Sequence, residues 1–277
     1  MAEAEFDLIA RNFEKAAATY ERAALVQNAM GAELLAVLGR TQKEHDLAPN
    51  WQQALEIGCG PGNFTELLLE SLPNLKRLTL NDLSPSLVAA AQERVAGARS
   101  GDSDQGDNCP GNSCQVDSVV GDLTQGTTLT ARYDLIVSNA TFQWFSDLDA
   151  ALTKLKALAE PGGFLVYSSF LEGTMRELAQ LLGRGLNYLT AEQARTVLER
   201  HCEVLHFCTQ TVVQHFDSSF HLLRHFKDTG VNNLGDKPLT PSELRRFMLR
   251  YEQRYSDESG AIALTWQPYF VVARWRD

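Results

Sequence analysis

The stretch Ala54-Leu55-Glu56-Ile57-Gly58-Cys59-Gly60-Pro61-Gly62-Asn63-Phe64 constrains this chain more than any other. An apolar run of strand length carries an acidic residue near its end and is followed by three glycines at alternate positions. Thr65-Glu66-Leu67-Leu68-Leu69-Glu70 then reads as the opening turns of a helix. Glycine enters positive φ cheaply and has no Cβ, so a ligand can reach the backbone of such a turn. An anionic group can rest on the helix N-terminus.

The spacing separates cofactor classes. A dinucleotide fold uses G-x-G-x-x-G, whereas here the order is E-x-G-x-G-x-G. That order resembles motif I of the class I S-adenosylmethionine-dependent methyltransferases, in which the turn wraps the amino-acid end of the cofactor.

At 277 residues the chain suits a single large α/β domain spanning 1–277, or a core plus an inserted cap, and can bury a sizeable core. Its net charge of −10 argues against non-specific nucleic-acid binding. No apolar run reaches membrane-spanning length, and Met1-Ala2-Glu3-Ala4-Glu5 lacks a basic start, so a cytoplasmic protein without membrane association is expected. The five cysteines are scattered without C-x-x-C spacing, which favours neither a disulfide framework nor a zinc site.

Residues 6–38 read as helical, with Phe13, Ala16, Ala17, Tyr20, Ala24 and Gln27 on one side. They could simply pack on the core, or they could form an N-terminal lid over the cofactor that brings Tyr20 to the transferable methyl group. A polar connector over 40–53 leads into the first strand. Leu78-Thr79-Leu80-Asn81-Asp82 is the second, and its terminal Asp82 is placed to accept from both ribose hydroxyls. Asp82 could instead cap the next helix, but Ser84 with Pro85 suits that cap better.

Residues 97–117 are rich in Ser, Gly, Asp and Asn and read as a flexible inserted loop. The loop lacks the order of an EF-hand calcium site. Val119-Val120-Gly121-Asp122-Leu123 resumes the sheet, with Asp122 able to accept from the adenine amine. The fourth strand, residues 133–140, is apolar at its centre as a buried parallel strand should be, and Asn139-Ala140-Thr141-Phe142-Gln143-Trp144-Phe145 opens onto the same edge. A helix over 147–159 and a fifth strand over 164–170 complete an alternating pattern that implies a doubly wound parallel sheet with its ligand at the strand carboxyl ends.

The second half reads as a helix from Gly173, a helix over 191–200 capped by Thr190 with Gln193, a strand over 202–216, helices over 218–229 and 241–255, and a last strand over 263–275. His221 and His225 are one helical turn apart, but no third ligand has metal spacing and Arg224 and Lys227 would repel a cation, so no metal is expected. Arg184, Arg195, Arg224, Lys227, Arg245, Arg246 and Arg250 are either a solvated face balanced by neighbouring glutamates or a docking patch for an acidic protein.

Together these segments resemble the malonyl-acyl-carrier-protein O-methyltransferases of biotin synthesis over nearly the whole chain. The resemblance is carried by Phe13-Glu14-Lys15-Ala16-Ala17-Ala18-Thr19-Tyr20 with Gln27, by Ser138-Asn139-Ala140-Thr141-Phe142-Gln143-Trp144, by Gly173-Thr174-Met175-Arg176-Glu177-Leu178, by Phe226-Lys227-Asp228-Thr229-Gly230 and by Leu264-Thr265-Trp266-Gln267. It implies an α/β fold, a mostly parallel seven-stranded Rossmann-like sheet, with residues 173–258 adding a substrate or carrier-protein face.

It further implies methyl transfer from S-adenosyl-L-methionine to the free carboxylate of a malonyl thioester on acyl carrier protein or coenzyme A, by a protein expected to be monomeric. Glu56, Gly58, Gly60, Gly62, Asp82, Leu83, Asp122 and Leu123 would hold the cofactor, with Gln27 and Asn139 beside them. Tyr20 would orient the carboxylate, Gln143 and Trp144 would line the pocket, and Arg176 would pair with the malonyl charge. Arg184, Arg195, Arg224 and Lys227 would form the docking face. Two other readings stand beside it: a methyltransferase of a free small carboxylic acid or other metabolite, and a non-catalytic binding protein on the same scaffold.

Overall fold

The computed structural model describes residue 19 and residues 23–100, 114–125, 129–183, 187–230 and 239–276, the side chains of 99 and 100 excepted. Helix α1 (Leu25–Glu44) precedes strand β1 (Gln53–Ile57), and the glycine turn leads to α2 (Asn63–Ser71). Then come β2 (Arg77–Asp82), α3 (Pro85–Ser100), β3 (Gln115–Val120) and β4 (Tyr133–Asn139). A 3-10 turn (Phe142–Trp144), α4 (Leu148–Lys156) and β5 (Ala159–Phe170) follow. The remaining elements are α5 (Arg176–Leu182), α6 (Ala191–His201), β6 (Cys202–Thr209), β7 (Val212–Phe216), α7 (Ser219–Thr229), α8 (Pro241–Tyr255), β8 (Ile262–Trp266) and β9 (Pro268–Trp275).

The main sheet has the order β3-β2-β1-β4-β5-β9-β6. The first five strands in that order are parallel, and β9 lies antiparallel to both β5 and β6. The order reverses between β1 and β4, and a ligand crevice opens at such a switch point beyond the strand carboxyl ends.

Alternate residues of each strand face opposite sides, so a strand buried on both faces is apolar throughout. Ala54, Leu80, Leu135, Val137 and Val166 enter one core with Met30 and Leu34 of α1, Phe64 and Leu68 of α2, and Val88 and Ala91 of α3. Leu55, Ile57, Ile136 and Leu165 enter the other with Leu152 and Leu155 of α4 and Leu198 of α6. Each fully buried leucine among these contributes about 1.5–3 kcal/mol by leaving water.

Several boundaries differ from the sequence reading. The helix expected over 6–38 is described from Leu25 and runs on to Glu44, into the stretch read as a connector. Its buried side presents Val26, Gln27, Met30, Leu34, Val37 and Leu38, so this part is a layer of the sandwich. The portion that would carry a lid, with Tyr20, lies outside the described residues. The inserted loop is narrower than 97–117, because α3 continues to Ser100 and β3 begins at Gln115, pairing with Arg77 of β2. The fifth strand starts at Ala159 and not at Phe164.

The long strands expected over 202–216 and 263–275 are each divided between two sheets. Val212 pairs with Trp266 and Thr209 with Tyr269 in one register, so β6-β7 and β8-β9 form a single antiparallel ribbon. It breaks where Pro268, which has no N–H, accepts from the Gln210 amide at 2.9 Å and cannot donate in return. Beyond the break, β7 and β8 leave the main sheet and join α5, α7 and α8 in a cap over the first core, contributing Leu178, Leu222, Phe226, Phe247, Tyr251, Leu264 and Trp266. Thr190 and Thr240 each close a capping box with the residue three positions on, Gln193 and Glu243.

Candidate cofactor cleft

The three glycines of the turn all have positive φ, 69° at Gly58, 52° at Gly60 and 91° at Gly62, yet they serve three different ends. A Cβ on Gly58 would lie 2.1 Å from Oγ1 of Thr141, so this glycine lets the loop after β4 close on the turn. A Cβ on Gly62 would lie 2.9 Å from Cα of Ala91, so this one lets α2 meet α3. A Cβ on Gly60 would meet nothing within 4 Å. The bare backbone of Gly60 is open to the cleft, which it lines on both sides.

Two lobes meet at Gly58, Gly60, Pro61 and Asn139. The first, about 870 Å³, is walled by Ile57, Leu83, Leu87, Leu123, Trp144 and Phe145 and carries Asp82 and Asp122. The second, about 1070 Å³, is polar, with Gln27, Asn28, Asn63, Glu66 and Arg94 around it. An apolar slot with two carboxylates joined to a polar, charged lobe matches a ligand with a nucleoside at one end and an amino acid at the other.

Asp82 is braced from two sides, accepting from the amide of Gly60 at 2.9 Å and that of Ser84 at 3.0 Å. Burial raises the Asp82 carboxyl above its ordinary range, and these amides pull it partly back. Asp122 uses Oδ1 to accept from the amide and hydroxyl of Thr124, at 2.7 and 2.6 Å. Its Oδ2 is buried and has no hydrogen-bond partner among the described residues, as are Oε1 of Gln27 and Oδ1 of Asn63 in the polar lobe. A buried acceptor without a partner costs free energy. An exocyclic amine at Asp122 and an ammonium between Gln27 and Asn63 would each relieve that cost, so the residues present fit S-adenosylmethionine.

Asn139 sits between the lobes. Its Nδ2 donates to the carbonyl of Gln27 at 2.9 Å and its Oδ1 accepts from Ser168 at 2.6 Å, which ties α1 to the tips of β4 and β5.

Other expected site residues are placed differently. Glu56 lines neither lobe; it is buried and accepts from the Thr65 hydroxyl at 2.8 Å, fastening α2 to β1. Gly62 lines neither lobe and acts through helix packing. Gln143 is not a lining residue of the cleft either, because its amide is spent on the Ala140 carbonyl at 2.6 Å and the Ser169 hydroxyl at 2.9 Å. Arg176 begins α5, where its side chain is half exposed and 3.4 Å from Glu177, and it lines neither lobe.

The four docking cations do not share one face. Arg184 lies outside the described residues. Arg195 is on α6, which covers the second core, and it pairs with Glu199 and stacks over Phe207. Arg224 and Lys227 are on α7 in the cap over the first core, with Arg224 3.4 Å from Asp228. The His221/His225 pair is likewise split, since His221 is exposed near Ser218 while His225 is buried against Phe216 and Trp266.

Arg94, Asn63 and Glu66 line the cleft without having been singled out from the sequence, whereas Thr141 and Phe145 belong to the stretch after β4 already placed on that edge. Asn63 and Glu66 could have been found, because they open the helix directly after the turn. Arg94 had no local signal: it reaches across from α3 to the Pro61 carbonyl at 3.0 Å and to Glu66 at 2.9 Å.

Burial pushes Glu56 up to about 8 from an ordinary 4.5, against the lowering effect of the Thr65 hydrogen bond. The folded chain therefore keeps a proton that the unfolded chain releases, and this group's contribution to stability falls as pH rises between those two values. Glu56→Gln removes the titration. The variant's melting temperature should gain on the unsubstituted protein through that window, by roughly 5 °C or more at its upper end, and then hold steady. Thermal scans at several pH values with no such divergence would show that the carboxyl ionises freely in the fold.

Comparison with known proteins bears directly on this cleft. The chain is 33% identical over 275 residues to the malonyl-[acyl-carrier protein] O-methyltransferase of Chlorobium phaeovibrioides, covering 98% of this chain and 96% of that one. The chain belongs to the malonyl-[acyl-carrier protein] O-methyltransferase family. The relative of the same name from Chlorobium luteolum is also 33% identical, covering 97% of this chain and 95% of that one. A family model described as a methyltransferase domain matches residues 55–165, from β1 into β5. Among solved structures, a putative methyltransferase from Bacillus halodurans aligns with a TM-score of 0.58 at 13% identity, covering 87% of this chain and 99% of that one, and it shares the fold. This member of the family is an S-adenosylmethionine-dependent methyltransferase.

Proposed function

We propose that this enzyme methylates the free carboxylate of a malonyl thioester borne on acyl carrier protein, and that it acts in the cytoplasm as a monomer. Among the described residues no helix is long and apolar enough to cross a membrane. The observation that carries the reading is the extent of the similarity. It runs through the cap as well as the cofactor core, at 33% identity over 98% of the chain, to a relative named for that substrate.

When bound, S-adenosylmethionine would supply the methyl group: an ionised carboxylate oxygen bonds to the methyl carbon in line as the carbon–sulfur bond breaks, and the neutral thioether S-adenosylhomocysteine leaves. A carboxylate is ionised at neutral pH, so the protein has no proton to remove and its work is orientation and exclusion of water. This accords with a cleft in which the Cys59 thiol is raised well above its usual value by burial and is no nucleophile. Leu83, Leu123 and Phe145 would enclose the nucleoside, Asp82 and Asp122 would accept from it, Gln27 and Asn63 would hold the ammonium, and Gly60 would lie against the amino-acid end. Trp144 stands at the reacting side.

Tyr20 orients the carboxylate. Its neighbour Thr19 donates to the carbonyl of Asp228 at 2.9 Å, at the end of α7 in the cap. Tyr20→Phe should lower kcat by about 10-fold or more while leaving the affinity for S-adenosylhomocysteine within about twofold. A parallel loss of both would return Tyr20 to a packing role.

The test of the whole reading is incubation with labelled cofactor and malonyl-, succinyl- and glutaryl-carrier protein, with the products weighed. Methyl ester on the malonyl substrate is expected. Methylation of free malonate at the same kcat/KM would replace this reading with that of a small-acid methyltransferase.

A further inference from the structure

We infer that the groove between α5 and α8 is the surface on which the acidic carrier protein docks, an inference that rests on the function proposed above. Helix α8 divides sharply into two sides. Phe247 and Tyr251, one turn apart, are buried in the cap. Arg245, Arg246, Leu249, Arg250 and Arg254 are on the exposed side, with Leu249 60% exposed.

The helix also contains two acids, and both are committed within the fold. Glu243 closes the capping box, accepting from the amide and hydroxyl of Thr240 at 2.8 and 2.7 Å. Glu252 accepts from the amide and hydroxyl of Ser219 on α7, at 3.1 and 2.6 Å. Neither Arg245 nor Arg250 forms an ion pair among the described residues. A chain of net charge −10 therefore concentrates uncompensated positive charge on one helix face.

That face borders a groove of about 440 Å³, with Leu181, Leu182, Leu239 and Phe247 along it and Arg246, Arg250 and the capping carboxylate of Glu243 at its margin. An apolar floor rimmed by arginines suits a partner that offers an apolar side chain flanked by carboxylates. It suits nucleic acid less well, since a phosphate backbone would leave the floor and Leu249 without a partner. The surface differs from the four cations picked out in the sequence. Arg195 and Arg224 are already paired, whereas Arg250 is not, and α8 packs against α5, the first helix after the carboxyl end of β5.

The double reversal Arg246→Glu/Arg250→Glu should raise KM for malonyl-carrier protein at least about tenfold with kcat little changed. It should leave kcat/KM for malonyl-pantetheine, which has no protein surface, within about twofold. Lys76→Glu/Arg77→Glu, an equal charge change at the amino end of β2, should alter neither. Because the reversal could disturb the cap, Arg246→Gln/Arg250→Gln is measured beside it, as is the salt dependence of the unsubstituted enzyme. KM for the carrier substrate should rise with ionic strength, and KM for malonyl-pantetheine should not.

Equal effects on both substrates, or none on the carrier substrate, would overturn the docking surface. So would a sedimenting dimer that the reversal dissociates with KM unchanged, since the groove would then be a self-interface. If the unsubstituted enzyme methylates neither malonyl thioester, the proposed function fails first. If it methylates both and every variant matches it, only the docking surface fails.

Discussion

Asp82→Ala is expected to weaken binding of S-adenosylhomocysteine by about 10²- to 10⁴-fold, with the chain still folded. The carboxylate does two things at once. It holds the turn by accepting from Gly60 at 2.9 Å and from Ser84 at 3.0 Å, and it lines the nucleoside lobe, where it would accept from two ribose hydroxyls. A hydrogen bond to a charged group is worth about 1.5–3 kcal/mol, so losing two accounts for the range given. Titration calorimetry measures it directly. Asp82→Asn should fall between, because the amide keeps one acceptor and presents a donor where an amide N–H already points. A dissociation constant unmoved by Asp82→Ala would remove this residue from the cofactor and with it the orientation assigned to the two lobes.

Alanine at Gly58 and at Gly60 should fail in opposite ways, although the two are two residues apart in one turn. At Gly58 the new methyl would lie 2.1 Å from Oγ1 and 2.6 Å from Cγ2 of Thr141, at a φ of +69°. Neither atom is the far end of a flexible chain, because a β-branched side chain has little rotamer freedom. The expected cost is about 3 kcal/mol or more, from overpacking together with left-handed backbone strain. It would be seen as a large fall in melting temperature and loss of activity through folding.

At Gly60 nothing lies within 4 Å, so only the strain of φ +52° remains, about 1–2 kcal/mol. The methyl would instead stand where both lobes meet. Gly60→Ala should therefore fold and melt within a few degrees of the unsubstituted protein while losing cofactor affinity by about 100-fold. If the two variants show the same balance of stability against affinity, the separate roles assigned to the glycines are wrong.

The readable parts of this protein are those whose cause is local. Thr190 with Gln193, and Thr240 with Pro241 and Glu243, announce helix starts because a cap is satisfied within four residues. The apolar centre of β4, with Leu135, Ile136 and Val137 all fully buried, announces a strand covered on both faces. Asp82 and Asp122 could be chosen because each ends or follows a strand whose carboxyl edge the alternation of elements had already defined. The glycine turn could be recognised, but which of its glycines is left open to the cleft could not. That depends on Thr141 and Ala91, brought up from elsewhere in the chain. Glu56 shows the same limit. Its place in the motif suggested contact with the cofactor, whereas Thr65 and a fully buried setting make it a fastening between β1 and α2.

The basic residues were harder to read, because a count of arginines carries no information about which are already neutralised. Arg195, Arg224 and Arg250 look alike in a sequence, yet Glu199 and Asp228 occupy the first two. The division of 202–216 and 263–275 between two sheets was also hidden, since the pairing register runs straight through the break and only Pro268 marks it.

The cofactor class came from a resemblance to a known motif; by itself the amino-acid order determined a tight glycine turn between strand and helix, the alternation of strands and helices and the carboxyl edge at which a ligand would lie. Each of these follows from backbone freedom, capping and apolar periodicity over a few residues. The tertiary structure alone decided which side chains open into the cleft, which are consumed in holding it and where unpaired positive charge collects. Those outcomes depend on contacts between segments tens of residues apart, and packing settles them only once the sheet and its two helical layers have formed.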